Sequence, residues 1–171
     1  MKRSIFLIFF LYCAINIFSF DYPAYYPMEF DEFVELFETI SKNNHPGLSI
    51  FGNTAVRVRA ILHEFPKELD DNDILNIRYT LQSLGFNPNM VSEFGYKVEY
   101  VYPSNVEWQE ETRLIFFIQN VQRQYFEKEY ELNDIIYWFA VFKELNTFSQ
   151  IGYFIVSDFL NTEQFLNLNI R

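Results

Sequence analysis

The groups most able to do chemistry in this chain are carboxylates. Asp70, Asp71 and Asp73 crowd together, and Glu110 and Glu111 form a second pair. Paired carboxylates can share a proton or supply oxygens to a hard cation. The chain has 23 acidic residues against 13 basic ones, and acids in a helix's first turn are favoured by the helix dipole. These pairs therefore read as solvated helix ends. The two histidines, His45 beside a turn and His63 late in a predicted helix, lack the neighbouring nucleophile that covalent catalysis requires. No glycine-rich phosphate loop and no His-Glu metal spacing occurs. The single cysteine, Cys13, excludes an internal disulfide and a zinc site built on cysteine clusters. These observations predict a protein that is not an enzyme.

The elements that must position these groups are apolar and rich in aromatics. Half of the 171 residues are hydrophobic, with 21 Phe and 12 Tyr, which excludes a disordered chain. Only 5 Gly and 6 Pro are present, a count that suits long helices better than a turn-rich β fold. A net charge of −10 argues against nucleic acid, because binding to phosphate draws on Lys and Arg. Helical spacing of Phe30, Phe33, Val34, Phe37 and Ile40 predicts a helix over 30–42. Further helices are predicted over 54–64, 73–84, 107–126, 134–145, 149–159 and 162–169, with a short one at 90–96 and a loop at 99–105. Gly85 marks the stop of the 73–84 helix.

Met1 to Phe20 open with Lys2 and Arg3 and continue as an apolar run. This is the pattern of a secretory signal peptide ending near Ser19; the other readings are an apolar leading helix or an uncleaved membrane anchor. The predicted location is secreted if the run is removed and cytoplasmic otherwise.

Two strings recur 61 residues apart. FPKELDDNDI at 65–74 matches FEKEYELNDI at 126–135, with Ile77, Leu81 and Leu84 answered by Trp138, Phe142 and Leu145. A second motif, MEFDEFVEL at 28–36, VEWQE at 106–110 and LNTEQFLNL at 160–168, alternates with the first. Repeated helix–connection–helix units cannot bury their apolar faces alone and must pair.

These residues resemble the EF-hand superfamily, nearest to calmodulin and the myosin essential light chains. Leu84-Gly85-Phe86-Asn87-Pro88 looks like the end of an odd-numbered hand, and Met28 to Phe33 and Val106 to Glu110 look like the ends of even-numbered ones. The resemblance implies an all-α fold of helix–loop–helix pairs in two lobes joined by a long helix. Its divisions are a leader at 1–19, a half-hand and helix at 20–49, and lobes at 50–112 and 113–171. It places Asp21 and Glu32, and Glu99 and Glu110, at the first and last ligand positions of calcium loops. The middle ligands are lost to Pro23, Tyr25, Val101 and Pro103, and calcium needs six to eight oxygens. The implied cofactor is thus none, with weak calcium remnants only.

By the same resemblance the protein would bind a partner's basic amphipathic helix, with Phe116, Phe117, Trp138, Phe139, Phe142, Tyr153 and Phe154 lining the groove. The alternative is a secreted helical protein that binds a small apolar ligand or a receptor.

Overall fold

The computed structural model describes residues 25–43, 47–83 and 85–168. The leader expected at 1–19 and the calcium-ligand position Asp21 lie outside them. The described chain forms a seven-stranded mixed sheet, and the all-α, EF-hand-like expectation is overturned. In chain order the elements are β1 (Tyr26–Met28), α1 (Phe30–Asn43), β2 (Ser49–Ile61), β3 (Lys67–Glu68), α2 (Asp71–Ser83), a 3-10 helix (Pro88–Glu93), β4 (Phe94–Val106), β5 (Gln109–Gln119), α3 (Asn120–Glu129), β6 (Ile135–Asn146), β7 (Ile151–Asn161) and α4 (Thr162–Leu168). Across the sheet the order is β1-β2-β6-β7-β5-β4-β3. The β1–β2 and β5–β7 pairs are parallel, and the other neighbours are antiparallel.

The segments expected as helices at 54–64, 134–145 and 149–159 are β2, β6 and β7. The long connecting helix expected at 107–126 is a hairpin tip, then β5, then the start of α3. The reason is burial on both faces. Leu114, Phe116 and Ile118 face one side of β5, with Ile115 and Phe117 on the other, and all five are buried. A strand covered on both faces reads as a continuous apolar run, without the alternation that marks a half-exposed strand.

The helices that do form carry local signals. In α1 the buried positions Phe30, Phe33, Phe37 and Ser41 repeat at helical spacing, with Asp31 and Glu32 in the first turn and Lys42 in the last. For α2, the Asp73 N–H donates to Asp70 Oδ1 at 2.9 Å and the Asp70 N–H donates to Asp73 Oδ2 at 3.0 Å, a reciprocal cap. Gly85, with φ 77°, ends α2. There the Phe86 N–H reaches the Leu81 carbonyl and the Gly85 N–H the Gln82 carbonyl, the bonding pattern of a Schellman stop.

The two strings 61 residues apart are not equivalent. The first caps α2. In the second, Asp134 Oδ2 accepts the Glu131 N–H at 2.7 Å and Asn133 turns with φ 76°, so α3 is led into a strand.

One core lies under α1 and α3. It holds Phe30, Phe33, Phe37, Phe116, Phe126, Trp138, Phe154 and Phe159. A smaller core under α2 holds Ile77, Leu81, Ile115, Phe117 and Tyr153. On the α1 face the sheet is strongly curled. The Trp138 indole N–H donates to the Tyr100 hydroxyl at 3.0 Å, and Ala60 of β2 and Tyr100 of β4 line one cleft. Four flat strand spacings of about 4.8 Å would hold β2 and β4 about 19 Å apart.

Candidate functional site

The curl leaves a hollow beside α1. β1 is only three residues long and covers β2 at Val56, Arg57 and Val58. Among the described residues no strand pairs with the outer edge of β2 before Val56. Over that gap lie Leu36 and Ile40 of α1, with Phe33 and Phe37 deeper; Ile50 and Val56 form the floor, Tyr26 and Met28 one wall and Phe142 the far end. The volume is about 300 Å³, and the lining includes two hydroxyl-bearing residues, Tyr26 and Thr54. Tyr26, 65% exposed, and Leu36, 43% exposed, stand at the mouth.

Among the described residues no charged side chain lines this hollow. The helix over it, α1, is anchored to the sheet on both sides. Phe37 packs at 5.6 Å from Phe142 and 6.4 Å from Phe154. A Cβ on Gly152 would run into the Phe37 ring, so glycine there lets α1 settle onto β7. Glu38, at the far side of the same helix, accepts the Asn105 N–H at 2.9 Å and fixes the helix to β4.

Two other hollows are polar. One, of about 340 Å³, is lined by Asp31, Arg59, His63 and Tyr102 among others. Burial, then the nearby Asp31 carboxylate, push the Tyr102 phenol up to about 12. The other lies at the β4–β5 tip beside Glu107, Glu110 and Glu111, where the Trp108 indole N–H donates to the Thr147 carbonyl at 3.1 Å.

The residues expected from the sequence are dispersed. Glu32 Oε2 accepts the Glu29 N–H at 2.9 Å and so opens α1. Glu99, in β4, pairs with Arg113 at 3.2 Å, and Glu110 lies in β5 at the hairpin tip. Among the described residues no three His, Cys, Asp or Glu side chains group as a metal site. Of the seven aromatics, Phe116, Trp138, Phe142 and Phe154 share the α1 face. The Phe116 ring stacks at 4.7 Å on Phe154 and at 5.4 Å on Trp138. Phe117 and Tyr153 stack at 5.6 Å on the α2 face, and Phe139 meets Tyr25 edge-on at 5.5 Å. Of the seven, only Phe142 reaches the apolar hollow.

Sequence reading missed Leu36, Ile50, Thr54 and Val56. One signal lay in α1, whose apolar arc is widened by Leu36 beyond the stripe that its core contacts use. Among the described residues no helix is long and apolar enough to cross a membrane. No family model matches the chain, and no curated protein or solved structure matches it.

Proposed function

We propose that this protein is a non-catalytic carrier of a small, neutral, apolar molecule held between α1 and the β1–β2 edge. The observation that supports it is the hollow of about 300 Å³ with a largely apolar lining that includes Thr54, and an open mouth at Tyr26 and Leu36. Small-molecule sites are mostly apolar with a few placed polar groups. Among the described residues the lining has no cation to meet a carboxylate, and burying an unpaired charge is costly, so the ligand is neutral with one polar end for Thr54. At about 30 Å³ per water-sized share the space suits on the order of ten non-hydrogen atoms. At roughly 0.7 kcal/mol per atom, such a ligand binds with a Kd of about 10 μM.

Calorimetric titration with 1-nonanol tests this reading. Micromolar binding is expected, with nonanoate at least tenfold weaker. Thr54→Phe, which fills the hollow, abolishes binding while the melting curve shows a folded protein. Absence of heat with nonanol, or binding that survives in folded Thr54→Phe, overturns it.

Export belongs to the same reading. Mass spectrometry of the mature protein is expected to show Met1 to Ser19 removed, and a retained Met1 contradicts export.

A further inference from the structure

Three lysines of the described chain sit beside carboxylates. Lys42 lies 3.6 Å from Glu38, Lys97 lies 2.7 Å from Asp73, and Lys67 pairs with Glu64. Lys143 differs. It is only 6% exposed, and among the described residues no carboxylate lies within ion-pair distance of it. Its ammonium donates to Asn53 Oδ1 at 2.6 Å and lies 5.2 Å from the centre of the Phe86 ring. Burying an ammonium against a neutral amide is unfavourable.

The backbone is shaped to hold it there. β6 pairs Phe142 with Phe154 and Glu144 with Tyr153, so Lys143 is the extra residue of a bulge. Opposite, β2 pairs Phe51 with Glu144 and Thr54 with Phe142, leaving Gly52 and Asn53 as a second bulge. A Cβ on Gly52 would meet the Phe142 ring at 2.6 Å, so glycine is what lets the two bulges face each other and brings Asn53 to the amine. Bulges re-aim side chains. Glu144, the adjacent acid, is occupied by the Thr80 hydroxyl at 2.7 Å. Phe86 covers the amine, and Phe51 and Tyr79, 6.2 Å apart, lie on the two elements flanking Glu144. Burial lowers the Lys143 amine from the ordinary lysine range, toward the uncharged, nucleophilic form.

We propose that Lys143 is a covalent docking site for an apolar aldehyde, held as an imine between the paired bulges. The uncharged Nζ adds its lone pair to the carbonyl carbon. One amine hydrogen passes to the carbonyl oxygen to give the carbinolamine, whose hydroxyl then leaves with the remaining amine hydrogen as one water, leaving a carbon–nitrogen double bond. Lys143 and the apolar hollow lie on separate sides of β6, so this proposal stands independently of the carrier reading.

The folded full-length protein, incubated with benzaldehyde and cyanoborohydride at pH 7.5, tests it by peptide mapping of N-benzyl lysine. Lys143 is expected to be labelled at least tenfold faster than Lys42 and Lys128. Asn53→Asp, which gives the ammonium a counter-ion, slows labelling of Lys143 at least tenfold and leaves Lys42 unchanged. Labelling of native Lys143 no faster than that of Lys42 and Lys128 overturns the proposal. So does an unchanged Lys143 rate in a folded Asn53→Asp variant.

Discussion

β4-β5-α3 and β6-β7-α4 are both hairpins that run straight into a helix, and their second strands lie side by side and parallel, Arg113 opposite Ile151 through Phe117 opposite Ile155. Both helices open with an amide side chain three residues on. The Gln119 N–H donates to Gln122 Oε1 at 3.1 Å, and the Asn161 N–H donates to Gln164 Oε1 at 2.9 Å. The outcomes differ. α3 has 10 residues and buries Phe126 completely, 4.2 Å from Phe159 and 5.5 Å from Trp138. α4 has 7 residues and buries none. Its Phe165 stacks at 4.0 Å on Tyr137, with the Arg57 guanidinium 5.0 Å from the ring. Tyr137 and Trp138 are consecutive on β6, so the two helices settle on opposite faces of the sheet. A cap starts a helix; whether that helix joins a core depends on what its next turn brings to the face it reaches.

Truncation separates the two helices most sharply. Phe126→Ala is expected to cost about 4 kcal/mol in a denaturant melt, since a fully buried ring leaves a cavity. Phe165→Ala, losing one partly exposed stack, costs about 1 kcal/mol. Equal losses would erase the contrast. Gly152→Ala, on the strand that precedes α4 but under α1, is expected to cost about 2 kcal/mol through overpacking against Phe37, measured the same way.

Asn161→Ala removes the oxygen that accepts the Gln164 N–H at 2.9 Å. It is expected to cost about 1 kcal/mol and to raise hydrogen exchange in α4 while leaving α3 protected. The smallest effect at neutral pH concerns α2. The Asp73 N–H, bonded to the Asp70 carboxylate, holds the Asp70 carboxyl below its usual range. A lowered folded value means that this stabilisation is complete above the unfolded value near ~4 and fades as pH falls through the folded one. Asp70→Asn, which keeps a capping oxygen, leaves the melting temperature at pH 7 nearly unchanged. It also flattens the acid limb below about pH 4.

The comparison also shows what was legible in the sequence. α1 and α2 were readable because apolar spacing, caps and the Gly85 stop agree within a dozen residues. The strings at 65–74 and 126–135 share an acid before an apolar segment, yet only the first leads into apolar residues at helical intervals, Ile74, Ile77 and Leu81, interspersed with the polar Asn76, Arg78 and Gln82. After Asp134 comes IIYWFAVF. Its β-branched and aromatic content favours a strand buried on both faces, and its period alone could not separate that from a buried helix. The EF-hand resemblance failed at this point, because it took strand cores for helix faces. Of the site, Phe33, Phe37 and Ile40 were legible as one helix face. Ile50 and Thr54 were not, because their place depends on where β1 stops along β2, a distant pairing that no local pattern records.

That distance has a further consequence. β2 hydrogen-bonds to β6, with Ser49 opposite Asn146, so its inner partner is synthesised 97 residues later (146 minus 49). At about 5–20 residues per second, an emerging β2 waits roughly 5 to 20 s for that partner. Its apolar side chains, Val56, Val58 and Ala60, need shelter during that time. A nascent chain that stalls before Ile135 has no β6 to pair with them, so β2 can take its place in the sheet only once most of the chain has been made.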